Sequence, residues 1–189
     1  IYKKKEFLVD NVKVSLLAKK YTTPLYCYSF NRLKQNILNF KKNFKSIKPI
    51  VCFSVKSNSN KTLLQEIRKL GLGADVVSIG ELMMALKSGI KPKMIVFSGV
   101  GKTSVEIEYA VKKGILLINA ESKSEILEIE KIAKVNKRKV SIGIRLNPNI
   151  DAKTLSQIST GKKENKFGVS EKIFFQLIKY IKKSKFLKL

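Results

Sequence analysis

Residues 53–60 read Phe-Ser-Val-Lys-Ser-Asn-Ser-Asn, and Lys56 is the residue in them that could do chemistry. An apolar run (Ile50, Val51, Cys52, Phe53, Val55) stops at Lys56, and a helix pattern opens behind Asn60. That order puts one primary amine at the end of a strand, held on a rigid element and aimed at a site. An amine whose desolvation disfavours its charged form can condense with an aldehyde. Lysine is the commonest residue of the chain, so the neighbours of Lys56 must carry the argument.

Three further groups stand where a strand pattern ends. Asp75 follows Gly73-Ala74 and begins Asp-Val-Val-Ser-Ile-Gly-Glu; it could pair with Lys56, orient it, or bond to nearby backbone amides. Glu81 closes the same run, either as the capping partner of Ser78 or as a group at the site. Arg145 lies late in the apolar run Ile144-Arg145-Leu146-Asn147-Pro148 and, if buried, needs an anion: a site carboxylate, a phosphate or a structural acid.

Ser98-Gly99-Val100-Gly101-Lys102-Thr103 has the look of a phosphate-binding loop, but its spacing fails. The first glycine of that motif belongs five positions before Gly101, where Val96 stands. Anion binding at the helix start behind it stays open. The polar segment from Ser159-Thr160-Gly161 to Lys166-Phe167-Gly168-Val169 reads as a loop before a helix capped by Ser170.

These groups are positioned by a repeating strand–helix plan. β-rich runs occur near 50–56, 74–77, 94–98, 115–119 and 139–146. Helix patterns occur near 61–70, 80–88, 103–113, 122–136 and 170–184. Met94-Ile95-Val96-Phe97 and Ile115-Leu116-Leu117-Ile118 are apolar throughout, as strands buried on both faces are, which predicts a parallel sheet. Gly71, Gly89 and Gly114 fall where helices end in a left-handed residue. Ser78 with Glu81, Thr103 with Glu106 and Ser122 with Glu125 have capping-box spacing.

Before residue 50 come an amphipathic start, the run Thr23-Pro24-Leu25-Tyr26-Cys27-Tyr28 and a helix pattern near 30–46. A doubly wound sheet and part of an eight-stranded barrel both fit the alternation. Phe186-Leu187-Lys188-Leu189 reads as a further strand opening, which favours the barrel. The expected architecture is therefore α/β, a partial (β/α)8 barrel of five to six units, incomplete before closure. Residues 1–22 form a lead segment and 23–189 the barrel domain.

Bulk composition excludes several classes. The 189 residues carry no histidine, so a zinc site or a histidine acid–base has nothing to use. No apolar run reaches the roughly 18 residues of a membrane span. Cys27 and Cys52 read as buried thiols in a reducing compartment, with no disulfide and no metal. The net charge of +25 invites a nucleic-acid reading. Against it, the charge is almost all lysine, with Arg32, Arg68, Arg138 and Arg145 the only arginines. No basic run interleaves with stacking aromatics.

From Thr23 onward the chain resembles the diaminopimelate decarboxylase family, within the alanine racemase-like, fold-type III pyridoxal-phosphate enzymes. The motifs that carry the resemblance are, in order, Val55-Lys56-Ser57-Asn58, Gly73 through Glu81, Val96 through Lys102 and Asn119-Ala120-Glu121-Ser122. Arg145-Leu146-Asn147-Pro148 and Ser159-Thr160-Gly161 through Lys166-Phe167-Gly168 complete the set.

The resemblance implies that Lys56 holds pyridoxal 5'-phosphate, with Asp75 and Glu81 near it and Arg145 supporting the same region. It implies decarboxylation of meso-2,6-diaminopimelate to L-lysine, a homodimer and a cytoplasmic enzyme without metal. The same fold also serves ornithine, arginine and carboxynorspermidine decarboxylases. Where the family has a His-Pro-Tyr-like segment, this sequence has Leu155-Ser156-Gln157. The family's stacking histidine, phosphate loop, pyridinium partner and C-terminal β-domain are expected beyond Leu189, so the segment by itself is expected to be inactive. The rival from another class is a complete doubly wound module that binds phosphate or nucleic acid.

Overall fold

The structure, a computed structural model, describes residues 2–3, 6–150 and 167–189. The chain divides into two compact units, Ile1–Pro49 and Ile50–Leu189.

The first unit holds a three-stranded antiparallel sheet in the order β1 (Tyr2–Lys3), β2 (Glu6–Val9), β3 (Val12–Lys13), then α1 (Val14–Tyr21) and α2 (Phe30–Asn43). Asp10 and Asn11, with φ of 48° and 65°, make the two-residue turn between β2 and β3. Positive φ at both positions matches the right-handed twist of the strands, and Asp and Asn tolerate it. The Asp10 carboxylate accepts from Ser29 Oγ at 2.6 Å and from the Asn31 amide at 3.3 Å. Ser29 in turn caps α2 by accepting from the Arg32 amide. The sequence pattern shows an amphipathic start here and no sheet, because strands of two to four residues are too short to display alternation. Cys27, expected in a buried strand, is exposed and outside any strand. The expected boundary at residues 22/23 falls inside this unit, between α1 and α2.

The second unit alternates β4 (Cys52–Ser54), α3 (Lys61–Lys69), β5 (Gly73–Val76), α4 (Ile79–Lys87), β6 (Ile95–Phe97), α5 (Ser104–Lys113) and β7 (Leu117–Ala120). It continues with α6 (Lys123–Val135), β8 (Val140–Ile144), α7 (Glu171–Lys183) and β9 (Leu187–Lys188). All six strands are parallel and lie in sequence order, β4-β5-β6-β7-β8-β9. That order decides between the two candidate folds. A doubly wound sheet reverses direction at a switch point, and here no reversal occurs. Right-handed crossovers between successive neighbours keep every helix on one face.

Burial follows the same geometry. Ala74, Val76, Ile95, Phe97, Ile118, Ala120 and Ile142 are at most 1% exposed. The alternate residues Cys52, Asp75, Val96, Leu117, Asn119 and Gly143 are only half-buried. The first set packs under helix faces built at three- and four-residue spacing: Leu64 and Ile67, Ile107 with Ala110 and Val111, Ile126 with Ile129 and Ala133. The unit is thus the wall of a (β/α)8-type barrel, with a helix-covered outer face and a polar-tipped inner face. The strand expected at residues 186–189 is present, with Leu187 opposite Val140.

The helix ends match the sequence closely. Gly71, Gly89 and Gly114 end α3, α4 and α5 with φ of 72°, 84° and 65°. Ser78, Thr103 and Ser122 accept from the amides of Glu81, Glu106 and Glu125. Only Thr103 and Glu106 close the reciprocal box. In α4 and α6 the glutamate reaches one residue further back, to the amides of Val77 and Glu121.

Candidate active site at the carboxyl ends of the strands

In a parallel barrel, chemistry gathers where the strands end. Lys56 stands there. It lies in the 3-10 turn Val55–Ser57 directly behind β4, and that turn packs against β5 and α4. Val55 is fully buried and anchors the turn; Asn58 N bonds back to Val55 O, and Ser57 Oγ to Ser54 O. The Lys56 side chain is exposed. Its amine has no hydrogen-bond or ion-pair partner among the described residues. The desolvation invoked from the sequence is therefore not supplied by the described residues, while the position and the free amine are.

Asp75 sits on the inner face one strand over, in register with Ser54. Instead of pairing with Lys56, its Oδ1 accepts from Ser98 Oγ at 2.6 Å. Ser98 Oγ accepts in turn from Asn119 Nδ2 at 3.0 Å. One hydroxyl carries one proton, so the chain has a single direction: Asn119 to Ser98 to Asp75, across the ends of β7, β6 and β5. Burial, with the nearby Asp75 charge as a lesser cause, pushes the Cys52 thiol above its ordinary 9.0.

Glu81 divides its carboxylate. Oε2 accepts from the Val77 amide at 2.9 Å, and Oε1 has no partner among the described residues. Its position is that of a helix cap with one acceptor to spare.

Arg145, just past the end of β8, finds its anion in Glu121. Nη1 lies 3.0 Å from Glu121 Oε1, and the guanidinium stacks 4.6 Å from the centre of the Phe167 ring. Glu121, 5% exposed at its side chain, uses Oε2 to accept from the Gly168 amide at 3.1 Å. The Asn147 amide donates to Val169 O, the Val169 amide to Arg145 O, and Asn147 Nδ2 to Phe167 O. The segment Ser159 to Lys166, including Ser159-Thr160-Gly161, lies outside the described residues, as does Leu155-Ser156-Gln157.

Lys102, the lysine of the loop with failed phosphate-binding spacing, is not available to an anion. Its side chain is 1% exposed and donates to Gly99 O (2.6 Å), Asn119 O (2.7 Å) and Glu125 Oε1 (2.8 Å). Sequence reasoning named Lys56, Asp75, Glu81 and Arg145 but missed Ser98, Asn119 and Glu121 as their partners. Glu121 was findable: once β7 and β8 are neighbours, it is the acid at the adjacent strand end.

Residues 30–189 match the family model described as pyridoxal-dependent decarboxylase, pyridoxal binding domain. The chain belongs to this family. Among its relatives, diaminopimelate decarboxylase of Helicobacter pylori is 53% identical over 171 residues, 90% of this chain and 42% of that protein. The crystal structure of the H. pylori protein complexed with L-lysine superposes with a TM-score of 0.89 at 51% identity, covering 93% of this chain and 44% of that one. A diaminopimelate decarboxylase structure from M. jannaschii gives 0.90 at 35% identity, over all of this chain and 45% of that one. The chain spans less than half the length of these relatives.

The residues at hand fit the family's cofactor in one decisive respect. A pyridoxal-dependent decarboxylase needs an amine that can condense with the cofactor's aldehyde. Lys56 is an amine at a strand end with no partner among the described residues, whereas Lys102, beyond the end of β6, has every proton engaged.

Proposed function

We propose that this chain provides the pyridoxal-binding part of a decarboxylase that converts meso-2,6-diaminopimelate to L-lysine and carbon dioxide. The amine of Lys56 behind β4, without a partner among the described residues, carries the reading, and the identity to the H. pylori enzyme supports the substrate. When bound, pyridoxal phosphate supplies the electron sink that lets a carboxylate leave as carbon dioxide. Lys56 attaches the cofactor. Asp75, held by Ser98, and Glu81, one of whose oxygens has no partner among the described residues, place negative charge beside the Lys56 turn. Arg145, fixed by Glu121, presents a cation at the opposite side of the strand ends. The protein acts as a homodimer in the reducing cytoplasm, where its two unpaired thiols are kept reduced.

The test is carbon dioxide release by the full-length protein from meso-diaminopimelate, L-ornithine and L-arginine. Preference for diaminopimelate, with a loss of about a thousandfold or more in Lys56→Ala, supports the proposal. Preference for ornithine or arginine would replace the substrate while keeping the reaction. Full activity in Lys56→Ala would end the reading.

A further inference from the structure

We infer that Lys102 is a positioning residue, the buried peg that sets both halves of the cofactor site through the end of β7. The inference rests on the pyridoxal reading above and extends it to a residue whose buried amine is engaged only by protein acceptors among the described residues.

Lys102 offers three N–H groups and finds three acceptors at 2.6–2.8 Å, with the amine 5.6 Å from the centre of the buried Phe97 ring. Two of the acceptors are backbone carbonyls, Gly99 O beyond β6 and Asn119 O in β7. The third, Glu125 Oε1, belongs to a side chain only 10% exposed whose Oε2 accepts from the Glu121 amide. The pair therefore grips the β7 end at two backbone points, Asn119 O and Glu121 N.

The side chains at those two points serve opposite sides of the site. Asn119 donates to Ser98, which donates to Asp75. Glu121 holds Arg145 and the Gly168 amide. One buried amine thus fixes an acid on β5 and a base beyond β8. Burying two charges seldom adds net stability, since desolvation offsets their attraction; a device of this kind is better explained by the geometry it enforces.

The experiment uses the full-length protein and its affinity for pyridoxal 5'-phosphate, measured by fluorescence titration well below the melting temperature. Lys102→Met/Glu125→Gln removes both charges and leaves an acceptor for the Glu121 amide. It is expected to melt near the wild type yet bind the cofactor about tenfold more weakly, as loss of a supporting shell does. Ser98→Ala cuts the relay to Asp75 without touching the buried pair and is expected to weaken binding in the same sense. Ile181→Ala, a core change on α7 and outside the network, is the control: it lowers melting and leaves affinity within about twofold. Wild-type affinity in the double variant or in Ser98→Ala overturns the inference, as does equal loss in the Ile181 control. If the wild type itself takes up no cofactor at Lys56, the pyridoxal reading fails instead, and the two failures are told apart.

Discussion

Glu121 Oε1 lies 3.0 Å from Arg145 Nη1, while Glu121 Oε2 accepts from the Gly168 amide at 3.1 Å. One buried carboxylate thus holds a site cation and the chain that returns to α7. Glu121→Gln keeps the shape but turns one acceptor into a donor facing a donor. It should cost about 1.5–3 kcal/mol, the usual worth of a hydrogen bond to a charged group. Urea denaturation of the two proteins checks this.

Gly143 faces Asn119 across the β7–β8 pair. A Cβ there would stand 2.4 Å from Asn119 Oδ1, so Gly143→Ala must displace the carboxamide that donates to Ser98. The expected cost is about 1–3 kcal/mol, with weaker cofactor binding alongside. Gly73→Ala is expected to be worse, because its Cβ would meet the Met94 carbonyl at 2.0 Å and backbone cannot rotate away. Melting temperatures should rank wild type above Gly143→Ala, and that above Gly73→Ala.

The Glu106 carboxyl is held below its ordinary 4.5, chiefly by the Thr103 amide and also by the Ile79 amide, with burial opposing. A depressed folded-state value stabilises the fold while the group is ionised. That contribution is fully present above pH 4.5 and disappears as the pH falls through the lowered value. Glu106→Gln should therefore be less stable than wild type at neutral pH, and the gap should close in acid. Denaturation midpoints measured from pH 7 to pH 3 test the sign.

The thiol of Cys52 is pushed up by burial and by the Asp75 charge, so little of it ionises at neutral pH. Iodoacetamide at pH 8 should alkylate exposed Cys27 well before Cys52. Asp75→Asn removes the neighbouring anion, lowers the thiol's value and should speed the Cys52 reaction. Mass spectrometry of timed digests reads both rates.

The strand–helix alternation was legible because each barrel unit repeats the same punctuation. Gly71, Gly89 and Gly114 close helices, Ser78, Thr103 and Ser122 open them, and the apolar runs between are strands. The opening sheet was not legible: its register rests on the Asp10-Asn11 turn rather than on side-chain alternation. Among site residues, Lys56 stood out because an apolar run ended on it. The engagement of Lys102 was not legible, because its acceptors Gly99 O, Asn119 O and Glu125 Oε1 are brought to it only by the fold. The same holds for Asp75, whose Ser98 partner lies 23 positions away.

The central claim is that Lys56 carries the cofactor. The full-length protein is mixed with one equivalent of pyridoxal 5'-phosphate, reduced with borohydride and digested, and the phosphopyridoxyl group is located by mass spectrometry. The label should sit on the peptide containing Lys56 and vanish in Lys56→Ala. A label spread over the surface lysines, with Lys56 unmodified, would contradict the assignment.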